Sequence, residues 1–116
     1  MAKVIRKYYP SDKLRFEVFV INGKFEGEYK EYHENGQLYE ICSYTNGKKN
    51  GEYKHYYSNG QLMTTSSFTN GKEHGEHKQY FMSGGLKLSH LYINGKKTET
   101  KLYYEFGQLE FQSQKN

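Results

Sequence analysis

The stretch "NGKKNGEYKHYYSNGQL", residues 46–62, carries three Asn-Gly pairs with a tyrosine-rich run between the last two. Asn-Gly accepts the positive φ values at both centres of a type I′ turn, whose twist matches that of paired antiparallel strands. The stretch therefore reads as a strand set between tight reversals. Its surroundings repeat it. Asn22-Gly23-Lys24, Asn46-Gly47-Lys48, Asn70-Gly71-Lys72 and Asn94-Gly95-Lys96 follow one another at a constant spacing of 24 residues.

Within the unit, Gly27, Gly51 and Gly75 align, as do Lys30, Lys54 and Lys78, then Tyr32, Tyr56 and Tyr80, then Leu38, Leu62 and Leu86. The fourth copy lacks the second glycine and is one residue shorter, so Lys101, Tyr103, Gly107 and Leu109 fall 23 residues after their counterparts. Tyr8, Leu14 and Val20 match Tyr32, Leu38 and Tyr44, which marks a degenerate leading half-repeat. The chain is expected to be one repeat domain, residues 1–116. Its half-repeat is 1–21, its full repeats are 22–45, 46–69 and 70–93, and a degenerate capping repeat spans 94–116.

Each unit holds two turn signals separated by runs rich in Tyr, Ile, Leu, Thr and Phe, so each is expected to be a β-hairpin. The prediction is an all-β, single-layer antiparallel meander of about nine strands, built from hairpin repeats with almost no helix. If both turns of a unit are two-residue loops, Tyr57 faces Leu62, His55 faces Thr64, Tyr53 faces Ser66, Tyr44 faces Lys49 and Cys42 faces Gly51. One face then collects Leu14, Leu38, Leu62 and Leu86 with Val20, Tyr44, Phe68 and Tyr92, and with Tyr29, Tyr53, His33, Tyr57 and Phe81. The other collects Lys30, Lys54 and Lys78 beside Tyr32, Tyr56 and Tyr80.

Composition agrees with a thin structure. Hydrophobic residues make up 34% of the 116 against 26% charged, too little for a thick core. Thirteen Tyr and seven Phe with no Trp mean that buried area comes from rings with a polar tip or rings lying flat on a sheet. The net charge of +4 is spread along the chain and permits an acidic partner without requiring one. Cys42 is the single cysteine, which leaves no internal disulfide and no thiolate metal site. There is no apolar run of about eighteen residues, and the opening Met-Ala-Lys-Val-Ile-Arg-Lys lacks the apolar region of a secretory signal. The expectation is a cytoplasmic protein with no membrane attachment.

The pattern Asn-Gly-Lys-x-x-Gly-x-Tyr-Lys-x-Tyr-x-x-Asn-Gly-Gln-Leu at this period resembles the MORN-repeat variant family over residues 22–97. The resemblance implies a single-layer β-ribbon used as a binding platform, and bacterial members of that family are often antitoxin components. The Gly-Glu-Trp pattern of longer eukaryotic relatives, linked to membranes, is absent here.

Chemistry-bearing motifs are few. Gly-x-Ser-x-Gly, His-Glu-x-x-His and Gly-x-x-x-x-Gly-Lys-Ser/Thr are all missing, so no enzyme is expected. The assumed register sets His77 opposite His90, with His55 two strands away across Thr64, a spacing that suits zinc or nickel. Equivalent positions carry other residues and no carboxylate ligand is expected beside them. The reading is solvated cross-strand pairs, with no metal and no cofactor. Lys30, Lys54 and Lys78 alternating with Tyr32, Tyr56 and Tyr80 resemble the cation and stacking rows of a nucleic-acid groove. They equally suit protein binding, or a solvated face with lysine gatekeepers.

Leu14–Ile21, "LRFEVFVI", is the most apolar stretch. Either its outer edge is bare and pairs with a second copy or a client strand, or Lys3–Tyr9 covers it through a turn at Pro10-Ser11-Asp12. Function is read as a non-enzymatic protein-binding module, a small inhibitor or antitoxin-like protein acting on a bacterial effector such as a nuclease. RNA contact within that complex would resemble the action of an anti-CRISPR protein. The alternatives are a structural or assembly adaptor, or an RNA-contacting protein. The binding residues are expected to be Lys30, Tyr32, Lys54, Tyr56, Lys78 and Tyr80, with Tyr53, Tyr57 and Phe81 as the second-face set.

Overall fold

The computed structural model describes residues 2–103 and the backbone of 109–114; Gly107 and the last two residues of the expected cap lie outside them. The strands are β1 (Ala2–Tyr8), β2 (Leu14–Ile21), β3 (Lys24–Tyr32), β4 (Leu38–Thr45), β5 (Lys48–Tyr56), β6 (Leu62–Thr69), β7 (Lys72–Glu73), β8 (Gly75–Tyr80), β9 (Leu86–Ile93), β10 (Lys96–Tyr103) and β11 (Leu109–Gln114). All pair antiparallel with their sequence neighbours in one open sheet, in which β7 and β8 are a single strand interrupted at His74. The described residues form no helix. All the described strands belong to this one sheet, which therefore forms a single layer, with extents of 47 × 32 × 15 Å.

Among the described residues the sheet is ten strands wide, in keeping with the nine or so expected, and its first strand is β1. It pairs along the whole of β2, from Ala2 opposite Ile21 to Tyr8 opposite Leu14. This settles the fate of "LRFEVFVI": β2 is paired on both sides, by β1 and β3, and has no edge left for a second copy. The reversal at Pro10-Ser11-Asp12 is closed by Tyr9 N–H donating to the Lys13 carbonyl at 2.8 Å and Asp12 N–H to the Tyr9 carbonyl at 2.9 Å.

The two turns of a unit differ, contrary to the equal two-residue loops expected. Asn46-Gly47, with φ of 53° and 84°, is a true two-residue type I′ turn, flanked by Thr45 opposite Lys48. At Asn59-Gly60 only the glycine has positive φ. There Tyr57 N–H donates to the Gln61 carbonyl at 2.8 Å and Gly60 N–H to the Tyr57 carbonyl at 3.0 Å, enclosing the three-residue loop Ser58-Asn59-Gly60. One added residue shifts the register next to the loop only: Tyr53 faces Ser66 and His55 faces Thr64 as expected, and a bulge at Met63 takes up the difference. Tyr56, not Tyr57, stands opposite Leu62, and likewise Tyr32 opposite Leu38 and Tyr80 opposite Leu86. Since directly opposed residues share a face, the leucine column belongs with the lysines and tyrosines, and the expected grouping with Tyr53 is corrected.

A second departure explains Gly51. Tyr44 does face Lys49, but Cys42 faces Tyr53 rather than Gly51, so two residues of β4 span four of β5. The two extra residues form a bulge, which Gly51 enters at φ 104°. The bulge receives the next turn. Gly71 N–H donates to the Lys49 carbonyl at 2.8 Å, and Asn70 N–H to the Asn50 side-chain oxygen at 3.0 Å. Glu26 and Phe25 hold Asn46 and Gly47 in the same way, and His74 and Glu73 hold Asn94 and Gly95. In the shorter fourth copy the bulge loses one residue, with Tyr92 opposite Lys97 and Leu91 opposite Glu99.

A further set of bonds joins the three-residue loops. The Tyr9 hydroxyl donates to the Tyr32 carbonyl at 2.6 Å, and the Tyr57 hydroxyl to the Tyr80 carbonyl at 2.8 Å. His33 Nε2 meets the Tyr56 carbonyl at 3.0 Å, so each reach spans 23 residues. What core exists lies on the face of Tyr29 and Tyr53. Val18, Cys42 and Ser66, at 0%, 3% and 5% exposure, form one buried column of successive repeats.

Candidate protein-binding faces

On the first face, alternation within β3, β5, β8 and β10 brings out rows that run across the strands. Lys30, Lys54, Lys78 and Lys101 form one. Beside it runs a row that sequence reading missed as a unit, Glu28, Glu52, Glu76 and Glu99, paired with those lysines at 3.5, 3.9, 3.6 and 3.7 Å. The Glu-x-Lys recurring at Glu28, Glu52, Glu76 and Glu99 was the available signal. These pairs are half-exposed and individually worth little, but they balance the lysine charge locally. Tyr32, Tyr56 and Tyr80 follow two residues on, each opposite its leucine. The structure thus places all six residues expected to bind a partner on one side of the sheet.

The relief of this face is regular. Over β4, β6 and β9 the side chains are smaller, and three shallow grooves of about 250–270 Å³ lie between the Glu and Lys ridges. Ile41 and Ser43 floor the first, Thr65 and Ser67 the second, Ser89 and Leu91 the third. None of the described residues packs above them, because the described strands form one layer.

The opposite face is an aromatic ladder. Phe16 stacks on Tyr29 with centroids 5.7 Å apart, Phe25 meets Tyr44 edge-on at 5.2 Å, and Tyr53 meets Phe68 at 6.0 Å. Lys49 Nζ lies 4.5 Å from the Tyr53 ring centre. Tyr53, a second-face candidate, is thus part of the ladder. Tyr57, another, is engaged through its hydroxyl at the Tyr80 carbonyl, and Phe81, at the equivalent place, has no hydroxyl to give.

On this face burial keeps the tyrosine hydroxyls and the thiol in their neutral forms. Burial, the hydrogen bond to Glu31 and the charges of Glu31 and Glu40 raise the Tyr29 hydroxyl; burial, then Glu40, raises that of Tyr53. Burial and Cys42 push Tyr44 up to about 12, and burial with Glu40 pushes the Cys42 thiol up to about 11. An enclosed thiol that stays protonated at neutral pH is not a nucleophile. His55 is lowered by burial, and its Nε2 is buried without a hydrogen-bond partner among the described residues. His90 is lowered by burial, then by Lys97 and His77.

His77 does lie opposite His90, with ring centres 5.7 Å apart. The expected absence of a carboxylate beside them is corrected: Glu73 Oε1 accepts from Ser66 Oγ at 2.6 Å and lies 2.9 Å from His77 Nδ1. That bond occupies one nitrogen of His77, while Thr100 Oγ1 engages His90 Nδ1 at 2.9 Å. No group of three or more metal-ligating side chains converges among the described residues. Nor is any helix there long and apolar enough to cross a membrane.

A one-layer sheet of periodic hairpins, with both faces presenting columns of like residues, defines a β-hairpin repeat protein. Residues 25–46 and 49–70 each match the family model described as MORN repeat variant. No curated protein matches the chain. Among solved structures it is similar to a chain of the "Glycosylation Associate Protein (Gap123) complex from Streptococcus agalactiae", with a TM-score of 0.52 and 16% identity. The likeness covers 97% of this chain and 21% of that one, so this chain spans about a fifth of its neighbour's length. At that identity the likeness is one of fold.

Proposed function

We propose that this chain is a non-catalytic module that binds another protein through its Glu, Lys and Tyr rows. The most concrete form of that role is a small inhibitor, antitoxin-like, that neutralises a bacterial effector such as a nuclease by covering its surface. The observation that carries the reading is the parallel arrangement of Lys30, Lys54 and Lys78 with Tyr32, Tyr56 and Tyr80 on an uncovered, grooved face. Tyrosines supply rigid contact area with a polar end, and the charge rows fix the register of whatever lies over them.

The glutamate row favours protein over RNA. A groove for single-stranded nucleic acid needs net positive potential along its length, whereas here each of these lysines has a carboxylate within 4 Å. The test is affinity capture from host lysate using wild type and the double variant Lys54→Glu, Tyr56→Ala in parallel, with circular dichroism as the folding control. Capture of one protein by wild type and its loss with the folded variant is the expected result. Co-expression with the captured protein then separates an inhibitor, which rescues growth, from an adaptor, which does not. Retained capture by the variant would move the site off this face.

A further inference from the structure

The strand β1 presents a second surface, independent of the Lys and Tyr rows. Among the described residues its only neighbour is β2, so its outer backbone edge is unpaired over the seven residues Ala2–Tyr8. The register puts Lys3, Ile5 and Lys7 opposite Val20, Val18 and Phe16, and therefore on the aromatic face, directly over its most buried end. Lys3 and Lys7 are exposed while Ile5 is half-buried. On the other face Arg6 is already paired with Glu17 at 2.6 Å.

Lys3-x-Ile5-x-Lys7 reads the same in both directions. In the antiparallel self-pairing that uses the whole strand, Ile5 meets its own copy while Lys3 stands opposite Lys7 at two places. Like charges directly opposed across a ladder are destabilising. The edge thus disfavours a second copy of this chain and leaves its backbone groups open to a strand of opposite pattern.

We infer that β1 accepts by strand addition an extended segment of a partner protein carrying acid, apolar and acid side chains at alternate positions. Its carboxylates lie opposite Lys3 and Lys7, and its apolar residue extends the aromatic face past Ile5. Because the pattern is palindromic, the side-chain match is the same in either direction, and the backbone ladder favours the antiparallel one.

The probe is a capped peptide, Ala-Glu-Thr-Val-Thr-Glu-Ala, titrated into the full ¹⁵N-labelled chain at low salt, with Ala-Lys-Thr-Val-Thr-Lys-Ala as its counterpart. Saturable amide shifts confined to β1 and β2 are expected, with the acidic peptide binding roughly tenfold more tightly than the basic one. The double variant Lys3→Glu, Lys7→Glu is expected to reverse that order while keeping the wild-type spectrum elsewhere. Equal binding of the two peptides, shifts centred on Lys54 and Tyr56, no shift at millimolar peptide, or concentration-dependent self-association of wild type through β1 would each overturn the inference.

Discussion

Replacing Gly51 by alanine isolates the contribution of the bulge that docks each hairpin on the one before. A Cβ built on Gly51 meets no heavy atom within 4 Å, so the substitution removes no packing and creates no clash. What remains is the backbone. At φ 104° an L-residue lies beyond the left-handed helical region, and holding one there costs about 1–3 kcal/mol. The lower entropy of the unfolded alanine chain offsets about 0.4–1 kcal/mol of that. A net loss of roughly 1–2 kcal/mol is expected, or about 3–10 °C in melting temperature for a chain of this size. The assay is urea and thermal unfolding followed by circular dichroism. Asp12→Gly is the counter-experiment: Asp12 sits at φ 71° where the later three-residue loops have Gly36, Gly60 and Gly84, so glycine there relieves strain and should leave stability equal or higher. Wild-type stability for Gly51→Ala would refute the claim that the left-handed residue holds the bulge open.

Tyr57→Phe deletes one inter-hairpin bond, that to the Tyr80 carbonyl, and should cost about 1 kcal/mol, read as faster amide exchange around Tyr80. Acid should weaken the fold before the carboxylates titrate. His55 and His90 both have folded pKa values below the ordinary 6.5, so near that pH the unfolded chain binds protons that the folded chain does not. Their contribution is complete above pH 6.5 and is lost as pH falls from there toward the folded values. Equilibrium unfolding between pH 7 and about 5 should show this slope, and His55→Gln with His90→Gln should flatten it.

Most of the fold was legible because the code is periodic. The 24-residue recurrence of Asn-Gly-Lys located the type I′ turns, and the alternation behind it gave one antiparallel sheet. What escaped were local insertions. Asn59-Gly60 has the same letters as Asn46-Gly47, yet Ser58 joins its loop, and only the hydrogen bonds of Tyr57 distinguish the two. That single residue moved Leu62 to the other face. Gly51 was visible as a recurring glycine, but a bulge of two residues and the docking it performs depend on the neighbouring turn, which lies 20 residues away in sequence. The six lysine and tyrosine positions fell on one side as expected, because alternation along a single strand is insensitive to register with its neighbours. The pairing of Glu73 with Ser66 and His77 was hidden by the same bulge, which sets Glu73 opposite Phe68 and two residues before Gly75.

The way each type I′ turn seats in the preceding bulge also limits how such a chain can change in length. Every seat is made of the same carbonyl and the same side-chain acceptor position, whether the acceptor is Glu26, Asn50 or His74. Duplicating one unit would therefore copy plug and socket together, widening the sheet by two strand spacings, roughly 9.5 Å, without a new junction to be solved. Losing part of a unit would strand a socket with no plug. Growth by whole steps is thus the easy evolutionary path for this architecture, and partial deletion the hard one.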